Sequence, residues 1–339
     1  MSPSVIGVDL GGTKVATASL QGGRGLSQSK VQPTNLSDSG ALLDQVVDLV
    51  QEARGDGLDA VGVGVPSVVD FETGRVVSSV NVPLTDIPLR EVLGERLGVP
   101  VFVDNDATVA ALAEAYDENL ELLARNLVMI TVGTGIGGGL VLGGRIYRGA
   151  TGGAGELGHT LVGLDLEHGV PDPVRFPQPG SLEWVASGHA IDRLAAECAR
   201  SAPASALGRQ LAAGEEVLGP AAVRAAREGD ADARRIIETW AGRLGIGVAN
   251  AINTFDPDEV VIGGGAAQAG ELLLEPARRV AFGYVLPGLG RRTKVRLAKH
   301  GVRAGVLGAA LLALHELEED VRGTRRALRP AAGSTMEVR

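Results

Sequence analysis

Short apolar runs alternate along this chain with longer stretches in which apolar residues recur at helical spacing. The short runs predict strands at 5–9, 15–20, 60–65, 75–80, 100–104, 127–132, 139–143 and 259–262, with a weaker one at 294–298. The longer stretches predict helices at 41–53, 107–125, 182–200, 231–253 and 303–328. Strands that alternate with helices are typical of an α/β fold.

One arrangement of two strands joined by a glycine-rich turn occurs twice in the sequence. Residues 5–20 read VIGVDLGGTKVATASL and residues 128–142 read VMITVGTGIGGGLVL, so each is a strand, a glycine-rich turn and a second strand. Glycine lets backbone N–H groups approach phosphate oxygens, and threonine hydroxyls in the turns add donors. A third glycine turn, VVIGGGAAQAG at 260–270, is suited to support the rest of a nucleotide. Together the turns predict a polyphosphate site with ATP as the expected ligand, although the first turn alone is equally consistent with an ordinary hairpin.

The second turn also matches the G-x-G-x-x-G pattern of dinucleotide-binding folds through Gly133, Gly135 and Gly138. That fold requires a helix after the turn and an acidic residue about twenty residues later. The residues that follow, GGLVLGGRIY, predict a strand and a hairpin instead. We therefore reject the dinucleotide interpretation.

Three polar residues, DND at 104–106, end a buried strand where the next helix begins. Asn and Asp are good helix N-caps, so one of the three is accounted for by a structural role. A carboxylate at the carboxyl end of a strand is also well placed to accept the proton of a hydroxyl that attacks a phosphate. We predict Asp106 as that base, and Asp9, which ends the first strand, as a carboxylate for Mg²⁺.

Further candidates lie in GGAGELGH at 152–159 and in SLEWVASG at 181–188. Glu156 and His159 are three residues apart and would share one face of a helical turn. Such a pair fits adjacent hydroxyls of a polyol, half of a metal site or a solvated surface pair. Glu183 falls in the first turn of a predicted helix, where a carboxylate also has a purely structural role.

Composition narrows the class of protein. The 339 residues suggest two domains, and the net charge of −9 argues against nucleic acid as a partner. The single cysteine, Cys198, excludes an internal disulfide and a cysteine-based metal cluster, and it suits a reducing compartment such as the cytoplasm. We see no signal peptide and no apolar run long enough to span a membrane.

Taken in order, the motifs resemble the ROK family of sugar kinases and related repressors. The resemblance rests on DLGGTK, SSVNVPL, VDNDA, TVGTGIGGG, GGAGELGH, SLEWVASG and LGIGVANAINTFDPDEVVIGGG, from residue 5 to about residue 310. The family's repressors carry a helix-turn-helix before the first strand. Only four residues precede that strand here, so the resemblance is to the kinases.

The resemblance implies an actin-like ATPase (ribonuclease H-like) fold with two α/β domains around a cleft. Residues 1–108 with about 303–339 would form the smaller domain and residues 109–302 the larger one. It implies Asp106 as the base, and a sugar site formed by Asn81, Asn105, Asp106, Glu156, His159 and Glu183. It implies a Mg²⁺·ATP site formed by Asp9, Gly11, Gly12, Thr13, Lys14, Gly133, Thr134, Gly135, Gly263, Gly264 and Gly265. It also implies a homodimer or homotetramer.

One departure from the family pattern is large. Most members follow the GH dipeptide with a C-x-C-G-x-x-G-C run that binds zinc together with the histidine. Here the segment before Glu183 contains GVPDPVRFPQPGSLE, with Ser181 where the last cysteine is expected. We therefore do not expect zinc, and prolines and packing must orient His159.

The expected activity is an ATP-dependent hexose kinase, with glucose and its 6-hydroxyl as the first choice of acceptor. Two alternatives remain open at this point. One is a kinase for another sugar, such as N-acetylmannosamine, fructose or a cyclitol. The other is a non-catalytic sugar sensor on the same fold, although such a sensor has no need of a base. Polyphosphate as the donor is also open.

Overall fold

The computed structural model describes residues 3–21, 25–55, 57–79 and 81–321. The strands in these ranges are β1 (Ser4–Leu10), β2 (Lys14–Gln21), β3 (Gly25–Leu26), β4 (Lys30–Pro33), β5 (Ala60–Val65), β6 (Ser67–Asp70), β7 (Arg75–Ser79), β8 (Val101–Asn105), β9 (Leu127–Val132), β10 (Ile136–Leu142), β11 (Arg145–Ile146), β12 (Glu259–Gly263) and β13 (Lys294–Leu297). The helices are α1 (Ser39–Ala53), α2 (Leu89–Leu97), α3 (Asp106–Glu114), α4 (Leu182–Ala186), α5 (Gly188–Ser201), α6 (Ala206–Ala212), α7 (Gly219–Arg227), α8 (Ala231–Phe255), α9 (Glu271–Tyr284) and α10 (Ala304–Val321). The predicted α/β class is confirmed.

Two sheets repeat one topology. The first has the order β3-β2-β1-β5-β8, with β4 also paired to β2, and the second has the order β11-β10-β9-β12-β13. In each sheet the first strand of the duplicated unit pairs antiparallel with its hairpin partner and parallel with a later strand. The glycine turn at 133–135 leads into β10, so the rejection of the dinucleotide fold is confirmed.

Helices α3 and α10 lie between the sheets. The α10 helix packs on β1 and β5, α3 packs on β9 and β10, and the two helices pack on each other. Gly308 permits this contact, because a Cβ added there would lie 1.7 Å from the carbonyl oxygen of Val109. The contact sets the carboxyl ends of the parallel strands of both sheets around one cleft.

The core is aliphatic in each half. One buried cluster packs around β1, β5 and β8, a second packs around β9, β12 and the helices from α4 to α9, and a third fills the space between the sheets. Two sheet cores joined by a central layer fit the two-domain expectation. The exact boundaries, 1–108 with about 303–339 against 109–302, stay a prediction. Among the described residues, no helix is long and apolar enough to cross a membrane.

Two helix predictions were wrong in extent. The helix predicted at 107–125 ends at Glu114, because the Asp117 side chain accepts hydrogen bonds from the backbone of Asn119 and Glu121, each at 2.8 Å, and fixes a turn there. The helix predicted at 182–200 is two helices, since Ser187 is extended and its hydroxyl caps α5.

Other differences concern short or interrupted elements. The helix predicted at 303–328 runs from Ala304 to Val321, and residues 322–328 lie outside the described residues. Helices α2, α6, α7 and α9 were not predicted. Three of them have at most nine residues, and α9 contains Pro276, so their apolar periodicity is too brief or too broken to recognise.

Candidate active site

Two adjoining pockets open where the parallel strands end. The first, of about 520 Å³, is bordered by the β6–β7 hairpin and is called the hairpin pocket. The second, of about 740 Å³, is bordered by the start of α10 and is called the α10 pocket. Both volumes suit a small organic ligand. Residues that line both pockets are Asn105, Asp106, Thr131, Gly137, Gly138, Glu156 and Gly264.

The three residues of the DND segment have three different partners. Asp104 is buried and pairs with Arg148, with 2.7 Å between Oδ2 and Nε. Asn105 is the N-cap of α3, and its Oδ1 accepts from the backbone N–H of Ala107 at 2.9 Å. Asp106 makes no ion pair within the described ranges and faces both pockets. The cap and the candidate base are therefore adjacent residues with separate roles.

Asp106 has the electrostatics of a base. Burial raises the pKa of its carboxyl group, and a hydrogen bond from the Ala107 backbone N–H opposes this effect. A carboxylate with a raised pKa holds a proton more readily than an exposed one, so it is a better acceptor near neutral pH. Its place at the junction of the pockets allows it to contact groups bound in either one.

Asp9 and Lys14 line the α10 pocket. Burial, followed by the negative charge of Asp106, raises the pKa of Asp9 to about 6, against the effect of Lys14, which lowers it. The carboxylate lies against the first turn of α10, where a Cβ on Gly305 would come within 2.4 Å of Cγ of Asp9. Two nearby carboxylates beside one lysine form a site suited to a cation and the phosphates it accompanies.

The first glycine turn is closed by its own backbone. The N–H of Gly11 donates to the carbonyl of Lys14 at 2.9 Å, and the hydroxyl of Thr34 donates to the carbonyl of Gly11 at 2.6 Å. Gly12 lies close to Asn81, which itself borders the hairpin pocket. Of the predicted residues in this turn, Lys14 lines the α10 pocket, whereas Gly11, Gly12 and Thr13 lie beside the pockets and do not line them.

The second glycine turn is tethered to α4 and α5. Oε2 of Glu183 accepts from the N–H of Ile136 at 2.7 Å, and a Cβ on Gly135 would lie 2.5 Å from that oxygen. The carbonyl of Gly133 accepts from the N–H of Gly188 at 2.8 Å. Gly133, Gly135 and Glu183 line the hairpin pocket, and Thr134 lines neither pocket. Glu183 thus supports the turn and borders the hairpin pocket at once.

The third turn follows β12. Gly264 lines both pockets and Gly265 lines the α10 pocket, together with Gln268 of the short 3-10 helix Gly265–Ala269. Gly263 is buried at the end of β12 and lines neither. The α10 pocket therefore has a carboxylate and a lysine on one side and the 264–268 backbone on another.

Glu156 and His159 both line the hairpin pocket, and Glu156 lines the α10 pocket as well. His159 Nε2 lies 3.9 Å from Glu156 Oε2. The ring of Phe176 meets the His159 ring edge to face, with 5.3 Å between centroids. In the described residues no group of three or more His, Cys, Asp or Glu side chains is placed to share a metal ion. The packing partner of the His159 ring is thus the ring of Phe176.

Backbone hydrogen bonds clasp the proline-rich loop that carries Phe176. The N–H groups of Val162 and Gly163 donate to the carbonyl of Gly180 at 2.8 and 3.0 Å, and that of Leu182 donates to Thr160 at 2.9 Å. The ends of the loop are thereby joined next to His159 and α4. This arrangement holds the loop beside the hairpin pocket without any cross-link through cysteine.

A separate groove of about 720 Å³ lies between α4, α5 and α8, and its wall includes Arg193, Arg200 and Arg243. None of the strand-end carboxylates lines it. The polar groups that converge on one point are those of the hairpin and α10 pockets, so the candidate active site is there and not in this groove.

Comparison with known proteins identifies the family of the chain. Residues 5–316 match the ROK family. The chain belongs to the ROK family. Its relatives include a glucokinase of Halalkalibacterium halodurans, 35% identical over 318 residues that cover 91% of this chain and 94% of the relative. Membership confirms the resemblance inferred from the motifs.

Solved ROK structures have the same fold. A Streptomyces griseus ROK glucokinase, in complex with glucose and AMPPNP, is 32% identical with a TM-score of 0.71, over 92% of this chain and 99% of that one. A ROK hexokinase from Thermus thermophilus is 34% identical with a TM-score of 0.74, over 93% and 99%. The actin-like fold expected from the sequence is thereby confirmed.

Some lining residues of this ROK protein were missed from the sequence. Thr131 lines both pockets, and Ser78 and Ser79 line the hairpin pocket. The serines belong to the SSVNVPL segment, so their nearness to Asn81 was an available signal. Gly305 had no signal, because its contact with Asp9 joins residues almost three hundred positions apart.

Proposed function

We propose that this chain is an ATP-dependent hexose kinase that transfers the γ-phosphoryl group of ATP to the 6-hydroxyl of glucose. The observation that carries the proposal is the position of Asp106. Its carboxylate borders both the α10 pocket, with Asp9 and Lys14, and the hairpin pocket, with Glu156 and His159. One base between a phosphate site and a polyol site is the arrangement that phosphoryl transfer to an alcohol requires.

ATP is assigned to the α10 pocket. Lys14 supplies a positive charge for the phosphates. The turns at 11–14, 133–135 and 263–265 are proposed to hold the nucleotide, and of their residues Lys14, Gly264 and Gly265 line the α10 pocket. The AMPPNP complex of the Streptomyces griseus glucokinase supports a nucleotide donor. Asp9 fits Mg²⁺, because it is an oxygen ligand in a partly buried site next to a second carboxylate. Bound there, the cation would offset negative charge on the phosphates.

Glucose is assigned to the hairpin pocket, where its hydroxyls meet donors and acceptors of both kinds. The polar residues proposed to bind it are Asn81, Asn105, Asp106, Glu156, His159 and Glu183, all of which line this pocket. Carboxylates accept from sugar hydroxyls, while the imidazole and amide groups either donate or accept. Glucokinase relatives and the glucose complex support this acceptor over other sugars.

The reaction follows from the placement of Asp106. The 6-oxygen attacks the γ-phosphorus as its proton passes to the Asp106 carboxylate. The new oxygen–phosphorus bond forms while the bond from the γ-phosphorus to the bridging oxygen breaks, and ADP leaves with that electron pair. Lys14 and the turn N–H groups stabilise the charge on the transferring group. Enclosure by the two domains excludes water and limits hydrolysis of ATP.

Replacement of the base tests the proposal. Asp106→Asn keeps the size of the side chain but removes the proton acceptor, so kcat should fall by about 10²–10⁴ while glucose binding stays within a small factor. A coupled ADP-release assay measures turnover against a panel of hexoses, and calorimetry measures glucose binding. Substantial turnover by the variant would refute the base assignment. Faster turnover of another hexose would reassign the acceptor, and sugar binding with no turnover of any sugar by the unmodified protein would favour a sensor.

Three further properties complete the proposal. Mg²⁺ is the expected metal, and we expect assembly as a homodimer or homotetramer in the cytoplasm, as implied by the family. Zinc is not expected. Light scattering coupled to size exclusion gives the oligomer, and elemental analysis of purified protein gives the zinc content, where a stoichiometric amount would overturn the metal-free account of the 160–182 loop.

A further inference from the structure

The Arg148 side chain joins three separate parts of the chain, and one of its partners, Asp104, lines the hairpin pocket. Its Nε donates to Asp104 on β8 at 2.7 Å, and its Nη2 donates to Glu316 on α10 at 3.1 Å. The guanidinium carbon lies 3.3 Å from the centroid of the Phe71 ring, which follows β6. Asp104 and Glu316 are both buried. Arg148 therefore connects the second sheet, from which it emerges after β11, to the first sheet and to α10.

Both ends of this connection lead to the active site. Asp104 is two residues before Asp106, on the same strand end, and its Oδ1 accepts from the N–H of Asn105 at 2.9 Å. On the other side, the carbonyl of Arg148 accepts from the N–H of Ala154 at 3.0 Å and closes the loop that leads to Glu156. Arg148 thus contacts both the strand end that carries the proposed base and the loop that carries Glu156, a proposed sugar-binding residue.

The loop also rests on the hairpin. A Cβ on Gly152 would lie 2.8 Å from the carbonyl oxygen of Val69, so the 149–155 loop lies directly on β6. Phe71, which covers the Arg148 guanidinium, belongs to the same hairpin. The contacts of Arg148 therefore set how the loop and hairpin meet around the hairpin pocket.

The energetics of buried ion pairs indicate that Arg148 matters more for the geometry of the site than for the stability of the fold. A buried ion pair contributes little to stability, because the cost of desolvating its charges offsets their attraction. A displacement of about 1 Å at a reacting group, in contrast, costs about a hundredfold in rate. The planar, two-sided guanidinium is suited to fix two carboxylates at a set distance, which the single ammonium of lysine cannot do.

We propose that Arg148 is a positioning residue that sets the distance between the base Asp106 and the sugar-binding loop at Glu156. The proposal rests on the proposed function for its kinetic readout. It assigns no contact between Arg148 and the substrates.

The test uses Arg148→Lys, which keeps the positive charge between the buried carboxylates and so preserves the fold. The glucose KM should rise about tenfold and kcat should fall, while the KM for ATP changes less, because Asp9, Lys14 and the 264–268 segment of the α10 pocket are not among the partners of Arg148. Asp104→Asn, which removes the β8 partner, should shift the glucose KM in the same direction. A loss of folded protein would lower the apparent kcat and leave both KM values unchanged.

Arg90→Lys is the matched control. Arg90 also lies over Phe71, at 5.3 Å from its centroid, and donates to the Phe71 and Glu72 carbonyls, but these contacts stay on the side of the first sheet. Its glucose KM should equal that of the unmodified protein. An unchanged glucose KM in Arg148→Lys, or an equal shift in Arg90→Lys, overturns the proposal.

Hydrogen exchange separates this proposal from the proposed function. Amide exchange in residues 104–107 and 149–158 should quicken in Arg148→Lys and not in Arg90→Lys, whether or not any sugar is turned over. If the unmodified protein phosphorylates no hexose, the proposed function fails, and exchange alone decides on Arg148. Unchanged exchange in both segments overturns the positioning role.

Discussion

Asp9→Asn should stabilise the ligand-free protein above pH 6 while it weakens Mg²⁺·ATP binding. The raised pKa of Asp9, about 6, means that its charged form is disfavoured in the folded state by burial and by Asp106. Within the described residues, no hydrogen bond reaches the Asp9 carboxylate to offset this cost. Asparagine removes the charge and keeps the shape, so the strain of two neighbouring carboxylates disappears.

The size of the expected stability gain follows from the pKa of Asp9. A rise from 3.8 to about 6 corresponds to about 3 kcal/mol, at about 1.4 kcal/mol for each pKa unit. Because the side chain is partly exposed, screening by solvent reduces this to about 1–2 kcal/mol. With about 2 cal/mol/K of unfolding entropy per residue, that is an increase in Tm of about 1.5–3 °C.

The raised pKa of Asp9 determines how the stability gain of Asp9→Asn changes with pH. A carboxyl group whose folded pKa is raised destabilises the fold when it is ionised, so the penalty is absent below about pH 4 and complete above about pH 6. The difference in unfolding free energy between Asp9→Asn and the unmodified protein should therefore be full at pH 8 and about half as large at pH 5. Mg²⁺·ATP affinity of the unmodified protein should fall about tenfold per pH unit below pH 6 as Asp9 is protonated.

Urea unfolding at pH 5 and pH 8 and calorimetric titration of Mg²⁺·ATP measure the two effects. Asp44→Asn is a suitable control, because Asp44 is an exposed carboxylate paired with Arg96 and its replacement should change stability by less than about 0.5 kcal/mol. Equal or lower stability of Asp9→Asn at pH 8, or a gain that grows as pH falls, would refute the electrostatic reasoning.

Two further predictions concern residues next to the site. Gly305→Ala places a methyl group against the Asp9 carboxylate, so the KM for ATP should rise about tenfold while the glucose KM stays unchanged. Steady-state kinetics measures both KM values, and equal shifts in the two would contradict this prediction. Phe176→Ala removes the ring packed on His159, so the glucose KM should rise several-fold with no change in the KM for ATP. Val174→Ala, which changes an exposed side chain of the same loop, should leave both KM values unchanged.

Local patterns in the sequence were enough to place Asp9 and the 104–106 segment near the ends of strands. Both follow apolar runs that predict buried strands, so their placement at one edge of a sheet follows from parallel pairing. The N-cap preference of asparagine separates Asn105 from Asp106. Asp106, Glu156, His159 and Glu183, which line the hairpin pocket, were candidates from local signals, whereas Asn81 and Asn105 entered the sugar site only through the family resemblance.

Contacts between distant residues were not predictable in this way. Arg148 is 44 residues from Asp104 and 168 from Glu316 in sequence, and nothing in the residues around it distinguishes it from a solvated arginine. The packing of Phe176 on His159 arises in a loop with no apolar period. Such contacts depend on how whole sheets meet, which local propensity does not encode.

Burial raises the pKa of three carboxylates in this cleft, but only one of the three has an ion-pair partner in the described part of the chain. Asp104 has a guanidinium at hydrogen-bond distance, which fixes its position and opposes the rise in pKa that its burial causes. Asp106 and Asp9 have no ion-pair partner within the described residues, and burial raises the pKa of both. An arginine paired with either carboxylate would lower its pKa and would compete with its proposed role as proton acceptor or oxygen ligand. The protein therefore leaves two buried carboxylates without an ion pair among the described residues at the proposed point of chemistry, and it pairs Asp104, two residues from Asp106, where the ion pair holds the strand end in position.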